Sequence, residues 1–341
     1  MKSSVLGVLC LLLFPIGALG QEGQQQFAVL GNFRLESGEQ IRNCRLGYRT
    51  FGRLNSDKSN VVLVPTWFAG TTSDFQLLFG SGKLIDASIY FIVAIDSLGN
   101  GVSTSPSNSQ QQPRMRFPKI TIRDMANSQY QLVTKVLHLE RVRAVVGISM
   151  GGMQTFEWMV SYPDFMEKAI PIVGSPRLAS YDLLQWQAQN DAIRSDPVWK
   201  NGNYKEQPAR GALFAFNQLL ATTPEGYNST TKREDVLPSV AKGRQASGFD
   251  ANNRIRQSEA MMALDVPAAF GGSLERVAAA VRAKVLVVVS TTDHVVTPGP
   301  ALEFSRALGA EILELRSDCG HLATICEAGT LASAVNAFLA K

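Results

Sequence analysis

The chain has 341 residues, 45% of them apolar and 18% charged, and carries a net charge of +4. Those proportions exclude a disordered chain, and the scattered Lys and Arg exclude a concentrated nucleic-acid-binding face. The length fits one large α/β domain with an insertion, and no internal repeat or low-complexity tract is present.

Lys2 is followed by a short apolar run, Val5 to Phe14, then Pro15 and the small-residue stretch Gly17-Ala18-Leu19-Gly20. A charged start, a brief apolar core and a small-x-small site predict a signal peptide over residues 1–20, removed before Gln21. The run is too short to span a bilayer comfortably, and no later segment reads as a membrane span. The mature chain, 21–341, is therefore expected in a secreted or periplasmic location. It keeps three cysteines, Cys44, Cys319 and Cys326, an odd count that leaves at least one unpaired. An oxidising compartment permits a Cys319–Cys326 disulfide around His321; three buried thiols are the other reading.

Rough period-two alternation over residues 27–35 and 41–51 predicts two opening strands. Dense apolar runs at 61–64, 90–95, 143–147 and 285–290 suit parallel strands buried on both faces. Helical patterns at 121–137, 151–162 and 300–308 lie between them. Such alternation argues for an α/β fold, a mostly parallel central sheet flanked by helices. It breaks at about 175–269, a helix-like, Gln-, Asn- and Arg-rich stretch punctuated by Pro197, Pro208 and Pro224. We read this as a helical cap laid over the C-terminal edge of the sheet, where open α/β sheets bind ligands.

The run Gly147-Ile148-Ser149-Met150-Gly151-Gly152 joins a strand pattern to a helix pattern, the setting of a nucleophile elbow in an α/β-hydrolase fold. Small neighbours make room for a crowded turn, and the following helix aims free amides at the site. Ser149 needs a base, and the chain has three histidines. His321, on a loop after the strand pattern at 312–315, fits the Ser–acid–His order of this fold. His138 precedes the serine, and His294 is a weaker competitor. Asp293, directly after the 285–290 strand, is the expected acid, with Asp318 as runner-up because it shares His321's own loop. The oxyanion amides are expected from Met150 and from the loop after strand 61–64, at Phe68 or next at Trp67. The side chains of Trp67 and Phe68 either line an acyl pocket or belong to the core.

The sequence resembles the homoserine O-acetyltransferase family over nearly all of the mature chain. The likeness lies in Leu35-Glu36-Ser37-Gly38, Leu46-Gly47-Tyr48-Arg49-Thr50-Phe51-Gly52 and Leu54-Asn55, and in the elbow continued through Met153-Gln154, Glu157-Trp158 and Tyr162-Pro163. In the cap it lies in Asp196-Pro197-Val198-Trp199, Gly202-Asn203-Tyr204, Phe249-Asp250-Ala251-Asn252 and Ala263-Leu264-Asp265-Val266. The resemblance implies the triad Ser149, Asp293 and His321. It also implies an Arg in the cap for the homoserine carboxylate and an Asp after the catalytic His for the ammonium. Here those positions fall near Phe216, with Arg210 as the alternative for a shifted match, and on Leu322. A pocket meant to pair both charges of an amino acid has lost both partners.

An exported enzyme would not meet acetyl-CoA, so the expected activity is an esterase-type acyl hydrolase using an acyl-enzyme. The alternatives are an O-acetyltransferase with an acyl-CoA donor and a non-catalytic hydrolase-like binding protein. The expected partner is a small-molecule ester or acyl substrate, with no nucleic acid and no stable membrane span; a homodimer is left open. No metal and no cofactor is implied, since three scattered histidines without a Cys-x-x-Cys pair give no ligand set.

Overall fold

The computed structural model describes residues 22–245 and 248–341; the signal peptide expected at 1–20 lies outside them. Eight strands form a single sheet: β1 (Gln26–Arg34), β2 (Gln40–Phe51), β3 (Val61–Pro65), β4 (Phe91–Ile95), β5 (Val142–Ile148), β6 (Met166–Ile172), β7 (Lys284–Ser290) and β8 (Glu311–Leu315). Their spatial order is β1-β2-β4-β3-β5-β6-β7-β8. β1 with β2 and β2 with β4 are antiparallel, and every other pairing is parallel. β3 and β4 are buried at every position, which is why they appear in the sequence as unbroken apolar runs.

The helices are α1 (Ile122–Gln131), α2 (Met150–Ser161), α3 (Ser180–Ser195), α4 (Arg210–Ala221), α5 (Pro224–Thr230), α6 (Val236–Gly243), α7 (Ala251–Met262), α8 (Leu274–Ala280), α9 (Gly299–Leu308), α10 (Ala323–Cys326) and α11 (Ala328–Ala340). One large apolar cluster lies on one face of the sheet, including Phe156, Trp158 and Phe304; a second lies on the other, including Phe75, Ile92 and Phe338. The helix expected at 121–137 is α1 followed by a wider π-type turn at Leu132–Val136.

Between β6 and β7 the described residues form helices and no strand, α3 through α8. A third cluster of Ile193, Trp199, Leu213, Ala251 and Ile255 gives this region a core of its own. Among the described residues no single helix is long and apolar enough to cross a membrane.

Candidate active site

β5 ends at Ile148 and α2 begins at Met150, so Ser149 alone makes the turn. Its backbone sits at φ 56°, ψ −120°, a region costly for a side-chain-bearing residue and retained only where its surroundings enforce it. The enforcement is steric. A Cβ at Gly147 would lie 2.0 Å from the Gly151 carbonyl oxygen, and one at Gly151 would lie 2.5 Å from that of Pro65. Strand and helix approach so closely that neither glycine tolerates a side chain.

His321 reaches Ser149 from the loop after β8. Its Nε2 lies 2.9 Å from Ser149 Oγ, and its Nδ1 lies 2.7 Å from Asp293 Oδ2. The carboxylate is itself held, because Asp293 Oδ1 accepts the Val295 and Val296 amides at 2.8 and 3.0 Å. Asp293 is 4% exposed and Ser149 8%. With the imidazole proton on Nδ1 and pointing at the carboxylate, Nε2 is free to accept the serine proton. Two alternatives make no such contact among the described residues: His138 has its backbone carbonyl engaged by Lys58 Nζ, and Asp318 contributes its carbonyl rather than its carboxylate to the site's framework.

Both walls brace the histidine loop. Thr223, the N-cap of α5, donates its amide and hydroxyl to the Asp318 carbonyl at 3.2 and 2.8 Å. From the other side the Ser317 amide donates to Glu327 at 2.8 Å. Cys319 and Cys326 form a disulfide across the loop, the first of the two readings open from sequence. Among the described residues Cys44 is the remaining thiol, buried within the core, where desolvation pushes its pKa up to about 12 despite a hydrogen bond from Thr104.

The loop after β3 faces the serine. The Ala69 amide is taken by Gln257 Oε1 of α7 at 2.9 Å, whereas the amides of Phe68 and Met150 have no protein partner among the described residues. That leaves Phe68 and Met150 available as two oxyanion donors at the mouth of a helix N-terminus. Gln257, fully buried and also donating to the Leu98 carbonyl at 3.2 Å, was missed from sequence; a lone Gln on a cap helix carries no motif.

A cavity of about 690 Å³ opens at Ser149 and His321. Trp67, Phe68 and Leu322 line it. Trp67 also packs on Phe75 at 4.3 Å and Phe68 on Trp186 at 4.7 Å, so these rings both face the cavity and pack against neighbours. Phe216 is a correction. It does not line the cavity; Asn217 and Leu220 of the same helix do, because one residue along a helix is a rotation of roughly 100°. Arg210 is also absent from the lining.

Residues 59–327 match the family model described as alpha/beta hydrolase fold. The chain is 32% identical to the ethyl acetate hydrolase of Pseudomonas veronii, covering 92% of this chain and 93% of that one. It is 31% identical to the homoserine O-acetyltransferase of Methanosalsum zhilinae, over 95% of this chain and 74% of the relative. The chain belongs to the homoserine O-acetyltransferase-like family of α/β-hydrolase-fold enzymes. The solved structure of an acetylester hydrolase from Corynebacterium glutamicum superposes with a TM-score of 0.87 at 27% identity, covering 94% of this chain and 97% of that one. The protein is an enzyme acting on acyl groups, by hydrolysis or by transfer.

Proposed function

We propose that this α/β hydrolase is an exported serine esterase that cleaves small carboxylic esters to acid and alcohol. The observation that carries the reading is the cavity lining beside the triad. Leu322 stands where the acetyltransferase pattern has an Asp, and Asn217 and Leu220, not an Arg, face the cavity from α4. A homoserine carboxylate and ammonium would each lose a charged partner, at a cost of order 1–3 kcal/mol or more per buried group. The likeness to a hydrolase named for ethyl acetate supports a short alkyl ester as substrate. The disulfide and the signal-peptide pattern both support export; N-terminal sequencing of protein recovered outside the cytoplasm should start near Gln21.

His321 Nε2 takes the Ser149 proton as Oγ adds to the ester carbonyl, Asp293 stabilises the imidazolium, and the Phe68 and Met150 amides hold the oxyanion. The imidazolium protonates the departing alcohol, and the neutral ring then activates water to release the acid and regenerate Ser149. The test gives the purified enzyme p-nitrophenyl acetate, and separately acetyl-CoA with and without homoserine. Ester hydrolysis with homoserine-independent, slow CoA release is expected. Rapid CoA release only in the presence of homoserine would establish the transferase instead. A fluorophosphonate probe that fails to label Ser149 would favour the binding protein.

A further inference from the structure

The cap side of the cavity holds a chain of hydrogen bonds whose direction is fixed at both ends. Arg254 on α7 donates from Nη1 to Gln189 Oε1 at 2.9 Å, Gln189 Nε2 donates to Gln185 Oε1 at 2.6 Å, and Gln185 Nε2 donates to the Val295 carbonyl at 3.1 Å. A guanidinium can only donate and a carbonyl can only accept, so neither amide can be turned over without breaking the chain. Gln185 and Gln189, one helical turn apart on α3, both line the cavity. Each amide oxygen already accepts one bond within the chain, and each amide nitrogen keeps one uncommitted hydrogen.

The group behind this wall is an uncompensated cation. Arg254 is 7% exposed, lies 5.0 Å over the Phe68 ring, and has a buried Nε without a partner. Desolvation lowers its pKa, to about 10, so it stays charged at neutral pH, and among the described residues no acid offsets it. A buried charge without a counter-ion is costly and makes the adjacent wall electropositive. The neighbouring Trp186 indole N–H, another donor-only group, is likewise buried and unpartnered. Asp74 and Lys83, the carboxylate and ammonium of the lining, stand together with Leu77 and Leu84 on stretches before β4, outside the cap.

We infer that the cap wall, Gln189 and Gln185 held between Arg254 and the Val295 carbonyl, is a hydrogen-bond-donor surface that selects esters bearing an oxygen acceptor and rejects those bearing a cation. The inference rests on the esterase reading of the same site. Gln185 and Gln189 would touch the substrate; Arg254 is a positioning residue.

Two isosteric pairs test it. In kcat/KM, 2-methoxyethyl acetate should exceed butyl acetate by about fivefold or more, and 3,3-dimethylbutyl acetate should exceed acetylcholine by about tenfold or more, the scale of one hydrogen bond and one unfavourable charge contact. Each comparison is a ratio within one preparation, so partial misfolding cancels. Gln189→Glu places a carboxylate against Arg254 and removes a donor; Arg254→Met removes the buried cation while the Val295 carbonyl still directs both amides. Gln189→Glu should bring the first ratio within twofold of one, and both variants should relax the second at least threefold. Wild-type ratios within twofold of one, a Gln189→Glu variant that keeps the first ratio, or variants that keep the second, overturn the inference. If flat ratios come with Ser149 labelled by a fluorophosphonate, the wall alone is misread. If no ester is turned over and Ser149 is unlabelled, the esterase reading falls and takes this one with it.

Discussion

The two sides of the cavity are built from different materials. On the sheet side, backbone sets position: the elbow is shaped by what Gly147 and Gly151 cannot carry, and Asp293 is held by two amides of its own loop. On the cap side, side chains set it: Arg254, Gln189 and Gln185 point one another through amide and guanidinium contacts. Backbone geometry survives most sequence change, whereas a side-chain relay is rewritten by one substitution. A proposed catalytic centre kept on the first and a proposed selectivity wall kept on the second would let the substrate change without disturbing the chemistry.

The largest expected effects therefore lie on the sheet side. Ser149→Ala should lower kcat by about 10⁴-fold or more, and Asp293→Asn by about 10³- to 10⁴-fold, as when an imidazole is left in the wrong tautomer. Asp318→Asn should stay within threefold, because only the Asp318 carbonyl is used. Steady-state hydrolysis of p-nitrophenyl acetate by the three variants reads this directly. Equal losses at Asp293 and Asp318 would reassign the acid.

The same division explains what could be read from sequence. Strands β3, β4 and β7 announce themselves as continuous apolar runs, and the elbow by its glycines, because burial on both faces and steric exclusion act on residue type. β6 went unrecognised: it carries Glu167, Lys168 and Pro171, which do not look like a central strand. Lys168 is nonetheless buried, since its ammonium donates to the carbonyls of Phe338 and Leu339 at the end of α11. α11 was missed for the opposite reason, an Ala-rich, largely apolar sequence with little apolar-polar periodicity to set it apart. In the cap the register was off by one: Phe216 was expected at the site and Asn217 is there. The spacing of Gln185 and Gln189 was a visible signal of a shared helical face, but their direction is set by Arg254 and the Val295 carbonyl, each more than sixty residues away.

A middle-sized effect tests whether the cap also reaches into catalysis. Gln257 belongs to cap helix α7 yet holds the Ala69 amide, the neighbour of the proposed oxyanion donor Phe68. Gln257→Leu should leave the Ala69 amide unpaired and the loop free to shift, lowering kcat about 10- to 100-fold with KM changed less than threefold, since one oxyanion donor is worth at most about 10²–10³. Gln257→Glu keeps an acceptor for that amide and should recover most of the loss. A fall in KM-dependent terms alone would make Gln257 part of the substrate wall rather than a support of the oxyanion loop.

The smallest effect is expected where the two sides meet. The Cys319–Cys326 disulfide closes only a seven-residue separation, and by chain entropy so short a loop contributes roughly 2–3 kcal/mol. The histidine loop has independent holds: Thr223 of the cap grips the Asp318 carbonyl, and Glu327 grips the Ser317 amide. Cys319→Ser with Cys326→Ser should accordingly lower stability to denaturant by about that amount while kcat falls less than about fivefold. Weakening the cap's grip as well, with Thr223→Val in the disulfide-free background, which removes the hydroxyl and leaves the amide donor, should cost more activity than the two changes made separately, because groups bracing one loop are not additive. If the disulfide-free protein instead loses activity a hundredfold while Thr223→Val alone is silent, the position of His321 depends on the covalent staple and the cap only covers it.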